Sequence, residues 1–172
     1  IDLGTTNSVL AHARLGTDEP RIELLPVPQL VDAATVESRG ALPSFLYLAD
    51  AHETSGGALD LPWSKGVGFA VGHFARRRAA EAPQRTVAAA KSWLCHHGVD
   101  RREPILPWGA PEEVPKVSPV TAARRYLEHL AAAWRVARPD SPIERQIVVL
   151  TVPASFDASA RELSREAAVA AG

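Results

Sequence analysis

The chain has 172 residues, 46% of them hydrophobic, and this composition predicts a packed globular domain rather than a disordered segment. Its 19 basic and 20 acidic residues give a net charge of −1, which offers no electrostatic case for binding nucleic acid or an anionic membrane. The one cysteine, Cys95, excludes an internal disulfide and fits a reducing cytoplasm.

The first eight residues, Ile1-Asp2-Leu3-Gly4-Thr5-Thr6-Asn7-Ser8, are typical of a buried strand that ends in a tight loop. Residues 8–13 then resume an extended pattern of small and apolar residues. We therefore predict a hairpin of strand, turn and strand at the start of the chain.

Two further strands are predicted before residue 50. Residues 21–27 alternate in hydropathy, and Pro26 and Pro28 indicate that this strand ends there or lies at a sheet edge. Residues 42–48 form the second strand. Residues 50–68 are rich in Gly, Ser, Asp and Pro without periodicity, which predicts an exposed loop or insertion.

Short helices are expected in the middle of the chain. Residues 74–81 have a helical composition that Pro83 stops, and residues 86–95 are a second helical candidate. The proline-containing stretch 100–117 is expected to be irregular.

The clearest helical pattern follows Ser118, a favourable N-cap, with Pro119 at the first helical position. Apolar residues recur there at steps of three and four, and Pro139 ends the helix. The β-branched run 147–152 predicts a buried central strand, and residues 159–171 a final helix.

Hairpins followed by helices around a buried strand predict an α/β fold with a mixed β-sheet and flanking helices. The chain lacks methionine and ends directly after a helical pattern. We interpret it as a piece of a longer protein.

The opening loop offers the groups that bind a nucleotide phosphate. Asp2 is suited to hold Mg²⁺ through water, because Mg²⁺ retains several waters and takes few carboxylates. Gly4 lets backbone N–H groups approach a phosphate, and Thr5 and Thr6 add hydroxyl donors. The alternative is an aspartate that only initiates a turn.

Three segments, in the right order, resemble the nucleotide-binding domain of the heat-shock protein 70 (DnaK-type) chaperones. They are the opening octapeptide, the segment Thr86-Val87-Ala88-Ala89-Ala90-Lys91, and Val149-Leu150-Thr151-Val152-Pro153-Ala154-Ser155-Phe156. The resemblance implies an actin-like, ribonuclease-H-like ATPase fold. Residues 1–172 would then form part of its N-terminal lobe, with insertions at 50–68 and 104–117, in a divergent bacterial member.

The resemblance also implies a role for each site residue. Gly4, Thr5 and Thr6 would contact the β- and γ-phosphates of ATP or ADP, and Asp2 would organise Mg²⁺ through its waters. Lys91 would be the catalytic residue that reaches the γ-phosphate and orients the attacking water. The alternative for Lys91 is a solvated lysine on a helix surface.

Pro153 and Arg161 resemble the proline and arginine through which the family couples nucleotide state to its substrate domain. The alternatives are that Pro153 only ends a strand and that Arg161 is a surface charge. The implied partners are unfolded or client polypeptides, bound by a domain outside this chain, together with a J-domain co-chaperone and a nucleotide-exchange factor.

Two other functions share the opening motif: a sugar or metabolite kinase of the same superfamily, and a non-hydrolysing actin-like nucleotide-binding protein. The kinase reading explains neither Lys91 nor the segment after Leu150. Because half of the nucleotide cleft would lie outside residues 1–172, the resemblance implies weak binding and little ATPase activity for these residues alone. Ser155 departs from the family, which usually carries an aromatic residue there.

Overall fold

The computed structural model describes residues 1–16 and 18–172. It confirms an α/β fold in which short strands dominate the first half and helices the second. The strands are β1 (Asn7–Ser8), β2 (Ala11–His12), β3 (Glu23–Leu24), β4 (Val27–Asp32), β5 (Thr35–Arg39), β6 (Leu42–Pro43), β7 (Phe45–Leu48), β8 (Phe69–Val71) and β9 (Thr86–Ala88). The helices are α1 (Ala51–Ser55), α2 (His73–Glu81), α3 (Ala90–Trp93), α4 (Pro119–Ala137) and α5 (Ala158–Ala170), with 3₁₀ turns at Pro83–Arg85 and Ile143–Arg145.

The strands form several small sheets where the sequence predicted one mixed sheet. β7 is the centre of a three-stranded sheet with β8 and β9, and the other pairs are β1–β6, β2–β3 and β4–β5, all antiparallel. The parallel pairing in the described part of the chain is a bridge between Asp2 and Thr151. This bridge joins the start of the chain to the segment before α5.

The predicted opening hairpin is confirmed. The backbone N–H of Asp2 donates to Val9 O and that of Val9 donates to Asp2 O, both at 2.9 Å. The strand predicted at 42–48 is also present, as β6 and β7. These neighbouring pairings fix the loop between Asp2 and Val9 in space.

The hairpin of β4 and β5 was not predicted, but of the two alternatives given for Pro28, a strand end or a sheet edge, the edge is confirmed. Pro28 lies inside β4, opposite Ser38 of β5. Because β4 belongs to a two-stranded sheet and pairs with β5 on one side, the proline, which lacks an N–H donor, breaks no hydrogen bond to a strand on the other side. Ala34, with a φ of 53°, makes the turn that the sequence did not reveal.

Residues 86–95 do not form the single helix that the sequence predicted. Thr86, Val87 and Ala88 are β9 and pair with Tyr47, Leu46 and Phe45 of β7. Ala89 then adopts a left-handed conformation that separates this strand from α3. The alanine-rich composition suggested a helix, but strand pairing and burial of Val87 prevail.

Residues 147–152 were wrongly predicted to be a buried central strand. The segment is extended beside Ile1 and Asp2, but Ile147 is 80% exposed and Val149 65% exposed. Within the described residues, no second strand or helix covers their side chains. Apolar β-branched composition therefore identified the extended conformation and not the burial.

Residues 50–68 are not an uninterrupted exposed loop, because they contain α1. Asp50 accepts from the N–H groups of His52 and Glu53, and the Glu53 carboxylate accepts from the Asp50 N–H, which completes a capping box. Leu59 in the same stretch is 2% exposed and packs in the core beside Tyr47 and Phe74.

Helix α4 is the main packing element, as its sequence periodicity predicted. The Ser118 hydroxyl accepts from Thr121 N–H at 3.0 Å and caps the helix. One face of the helix is buried in the larger core cluster, where α3 and α5 pack against it. The predicted final helix is present as α5, with Leu163 and Ala167 buried. No helix in the described part of the chain has the length and hydropathy needed to cross a membrane.

Gly72, which precedes α2, is a position where we predict a large loss of stability on substitution. It has a φ of 90°, and a Cβ atom there would lie 2.6 Å from both Gln29 Oε1 and Leu42 Cδ1. Gln29 cannot move freely because it is buried and its Oε1 accepts from His73 N–H. Gly72→Ala should lower the free energy of unfolding by roughly 2–5 kcal/mol in urea denaturation. Gly68→Ala, where the nearest atom is 3.7 Å away, is the control and should have a much smaller effect.

His129 on α4 should make stability depend on pH. Burial lowers the pKa of His129 to about 4, although its Nε2–H donates to Pro28 O at 2.8 Å, which favours the charged form. The unfolded chain therefore binds a proton near pH 6.5 that the folded chain excludes. Stability from this group is complete above about pH 6.5 and falls by about 3 kcal/mol as the pH drops to 4.

The measurement is denaturant unfolding at pH 7 and at pH 4.5. His129→Gln keeps an N–H donor without a titrating ring, so its stability should fall less between the two pH values. Surface carboxylates such as Asp32 and Glu144, whose pKa values are lowered by hydrogen bonds, contribute equally in both proteins. Equal losses in the two proteins would contradict this account of His129.

Candidate functional site

The loop from Gly4 to Asn7 is a turn so tight that it requires glycine at its first position. A Cβ atom on Gly4 would lie 2.0 Å from Asn7 O, a distance that no packed side chain allows. The three residues that follow, Thr5, Thr6 and Asn7, are exposed. Their side chains are therefore accessible to a ligand.

Ser44 holds this loop in place from the other side. Its hydroxyl donates to Gly4 O at 2.7 Å and lies 2.9 Å from the Ser8 hydroxyl, and its backbone N–H donates to Thr6 O at 2.9 Å. Ser8 and Ser44 are both buried. The role of Ser44 was not predicted from the sequence, because a contact between positions 40 residues apart leaves no local pattern.

Asp2 presents an exposed carboxylate beside the loop. The Thr151 hydroxyl donates to Asp2 Oδ1 at 2.8 Å. Within the described residues this is the hydrogen bond that the Asp2 side chain makes, so Oδ2 is left open. The same part of the chain contains no cluster of three or more His, Cys, Asp or Glu residues that could hold a metal ion.

Lys91 lies on α3, with only 9% of its surface exposed. Its ammonium lies 5.8 Å from the centre of the Phe156 ring, and none of the described residues forms a hydrogen bond or ion pair with it. Burial lowers the pKa of Lys91, while the nearby charge of Asp2 acts in the opposite direction. The structure thus brings Asp2 and Lys91 within electrostatic range of each other.

The segment from Thr151 to Phe156 contacts both charged residues. Phe156 N–H donates to Pro153 O at 3.0 Å, which closes a turn and places the buried Phe156 ring beside Lys91. Arg161 is separate from this cluster. It lies on the first turn of α5, and its guanidinium makes no hydrogen bond or ion pair within the described part of the chain.

The arrangement fits a phosphate ligand with a hydrated cation. Gly4 keeps the turn tight, and a largely buried lysine that forms no hydrogen bond or ion pair with a described residue favours an anionic ligand. The open oxygen of Asp2 suits a Mg²⁺ ion that keeps its waters. The residues that would hold the phosphates are Gly4, Thr5, Thr6 and Lys91.

A large groove lies elsewhere on the described residues. It has a volume of about 1120 Å³ and runs between residues 10–15 and 145–149, beside Trp134. Asp2, Gly4 and Lys91 do not line it.

Comparison with known proteins shows similarity to chaperones. The chain is 31% identical over 186 residues to chaperone protein HscA of Enterobacter sp. (strain 638), and 32% identical over 187 residues to that of Serratia proteamaculans (strain 568). The HscA homolog of Mannheimia succiniciproducens is 29% identical over 184 residues. Each alignment covers 100% of this chain and 25% of the relative, so the chain spans about a quarter of their length.

No protein-family model matches the chain. The similarity to the HscA chaperones nevertheless covers every one of its segments, including the opening loop, Lys91 and the stretch before α5. Over its whole length the chain is thus similar to HscA chaperones.

Proposed function

We propose that the chain is part of the ATP-binding and ATP-hydrolysing domain of an ATP-dependent chaperone. The observation that carries the proposal is Lys91, a largely buried residue whose ammonium forms no hydrogen bond or ion pair with a described residue and lies within electrostatic range of the Asp2 carboxylate. A buried charge of this kind is stabilised when an anion binds. The HscA relatives, which are named as chaperones, support the same function.

The fold proposed for the whole domain is the actin-like ATPase fold. Residues 1–172 would form part of its N-terminal lobe, with insertions at 50–68 and 104–117. The small sheets and the parallel bridge at Asp2 are compatible with one lobe of such a domain. The cytoplasm is the proposed location.

The proposed reaction is in-line attack of water on the γ-phosphate of ATP. When bound, Mg²⁺ would neutralise charge on the phosphates and polarise the group under attack. The backbone N–H groups and hydroxyls of residues 4–6 would bind the phosphates, and Asp2 would hold the waters of the ion. Lys91 would orient the attacking water and stabilise the negative charge that develops on the phosphoryl oxygens.

Pro153 and Arg161 are proposed to couple nucleotide state to the domain that binds substrate. Pro153 lies in the segment that contacts Asp2 and Lys91, so a change at the phosphates would reach it directly. Arg161 is exposed and unpaired in the described part of the chain, as a residue at a domain interface would be. The proposed partners are client polypeptides, a J-domain co-chaperone and a nucleotide-exchange factor.

The test is the activity of the full-length protein. Phosphate release from ATP should occur without any added acceptor, and ATP should reduce the aggregation of a chemically denatured test protein. Phosphorylation of a member of a sugar panel would instead identify a kinase. Nucleotide binding without hydrolysis would overturn the ATPase assignment.

A further inference from the structure

Thr151 has no role in the proposed reaction so far, yet it makes the closest contact with the Asp2 carboxylate. Its hydroxyl donates to Asp2 Oδ1 at 2.8 Å. A carboxylate only accepts hydrogen bonds, so the direction of this bond is fixed. The donor thus comes from a position 149 residues away in the chain.

The hydroxyl is held rigidly by the backbone around it. Thr151 and Asp2 face each other in the parallel bridge, and Thr151 N–H donates to Ile1 O at 2.9 Å. A β-branched side chain has restricted χ1 freedom, so a fixed backbone also fixes the hydroxyl. The contact is therefore built into the pairing of the two extended segments and is not an incidental surface contact.

One consequence concerns the orientation of the carboxylate. With Oδ1 engaged by Thr151, the Asp2 side chain is restricted to rotamers that leave Oδ2 open. Removing a residue that hydrogen-bonds to a metal-binding group typically weakens metal affinity by about 10- to 100-fold.

We infer that Thr151 is a positioning residue, which orients the Asp2 carboxylate toward the waters of a bound Mg²⁺ ion. This inference rests on the proposed function. Thr151 then contributes to the part of nucleotide affinity that depends on Mg²⁺, whereas the loop and Lys91 make the direct contacts with the phosphates. The segment 151–156 then also has a defined contact with each charged residue, through Thr151 to Asp2 and through Phe156 to Lys91.

The matched variants are Thr151→Val and Thr151→Ser in the full-length protein. Valine keeps the β-branched shape and loses the hydroxyl, whereas serine keeps the hydroxyl and loses the methyl group. Thr151 is exposed, so valine buries no unpaired polar group and should fold. Thr151→Ala is a second variant without the hydroxyl, and thermal unfolding of each protein checks its stability.

The main measurement is ADP affinity by calorimetry, with millimolar Mg²⁺ and with a chelator. Thr151→Val should weaken Mg²⁺-supported binding by about 10-fold and leave binding in chelator unchanged. It should also raise the Mg²⁺ concentration for half-maximal ATP turnover more than it lowers turnover at saturating Mg²⁺. Thr151→Ser should stay within about twofold of the unmodified protein, because its hydroxyl retains the hydrogen bond.

Three results would overturn the inference. If Thr151→Val and Thr151→Ala keep the Mg²⁺ dependence of the unmodified protein, the hydroxyl does not position Asp2. If Thr151→Ser loses as much as Thr151→Val, the role of the residue is packing. If the unmodified protein binds no nucleotide at all, the proposed function fails, and with it this inference, whereas the first two results leave the proposed function intact.

Discussion

Replacing Lys91 with methionine is expected to lower ATP turnover by the full-length protein by about 100-fold or more. Methionine retains a long unbranched side chain that fills the space beside Phe156, so packing is largely preserved. The variant loses only the charge that would face the γ-phosphate. Since burial lowers the pKa of Lys91, the folded protein holds this ammonium at a cost, and removing it should not reduce the thermal unfolding temperature.

The comparison with Lys65→Met separates the site from a general effect of lost positive charge. Lys65 is exposed in the 50–68 segment and should tolerate the change without loss of turnover. Steady-state phosphate release and thermal unfolding, measured on all three proteins, give the two readouts. Unchanged turnover in Lys91→Met would contradict the proposed role of Lys91, and so would an equal loss in Lys65→Met.

Those parts of the fold that depend on neighbouring residues could be predicted from the sequence. Helix α4 follows from a cap, a proline and a periodic apolar stripe, all within its own segment, and the opening hairpin follows from one short turn. The capping box at Asp50 and Glu53 is a similarly local pattern, which is sufficient to predict α1. Local patterns thus identify elements whose stabilising contacts are also local.

Where contacts are distant in the chain, the same reasoning fails. Residues 86–88 have an alanine-rich neighbourhood, but β7 supplies hydrogen-bond partners that turn them into a strand. Residues 147–149 are apolar enough for a core, but nothing in the described part of the chain covers them. The composition of a segment indicates how hydrophobic it is. Whether it is buried or paired depends on residues elsewhere in the chain.

In the candidate site, too, local patterns could be predicted and distant contacts could not. Asp2, Gly4 and Lys91 were found through their motifs, and the structure places Asp2 and Lys91 within electrostatic range of each other. The residues that support them, Ser44 and Thr151, were not assigned a role, because each acts through hydrogen bonds to positions distant in the chain. Supporting residues of this kind require the three-dimensional structure.

The substitution Gly4→Ala tests whether the opening loop binds phosphate, and we expect it to abolish measurable nucleotide binding. The added Cβ would lie 2.0 Å from Asn7 O, so the turn must open, and this breaks the alignment of the loop N–H groups. Losing two charge-assisted hydrogen bonds costs roughly 3–6 kcal/mol, which weakens affinity by at least about 100-fold. Calorimetry with ADP and Mg²⁺ on the full-length protein measures the effect.

Gly40→Ala is the matched control, because a Cβ atom there meets no atom within 4 Å and the backbone is not left-handed. It should retain full affinity. Gly4→Ala will also lose some stability, since the loop is tied to the buried Ser44 through Gly4 O, so binding must be measured well below the unfolding temperature of each variant. Ser44→Ala separates the two effects, because it removes the support and leaves the glycine, and it should weaken binding less than Gly4→Ala does. Undiminished affinity in Gly4→Ala would place the phosphates away from this loop, since an opened turn cannot present the same N–H groups.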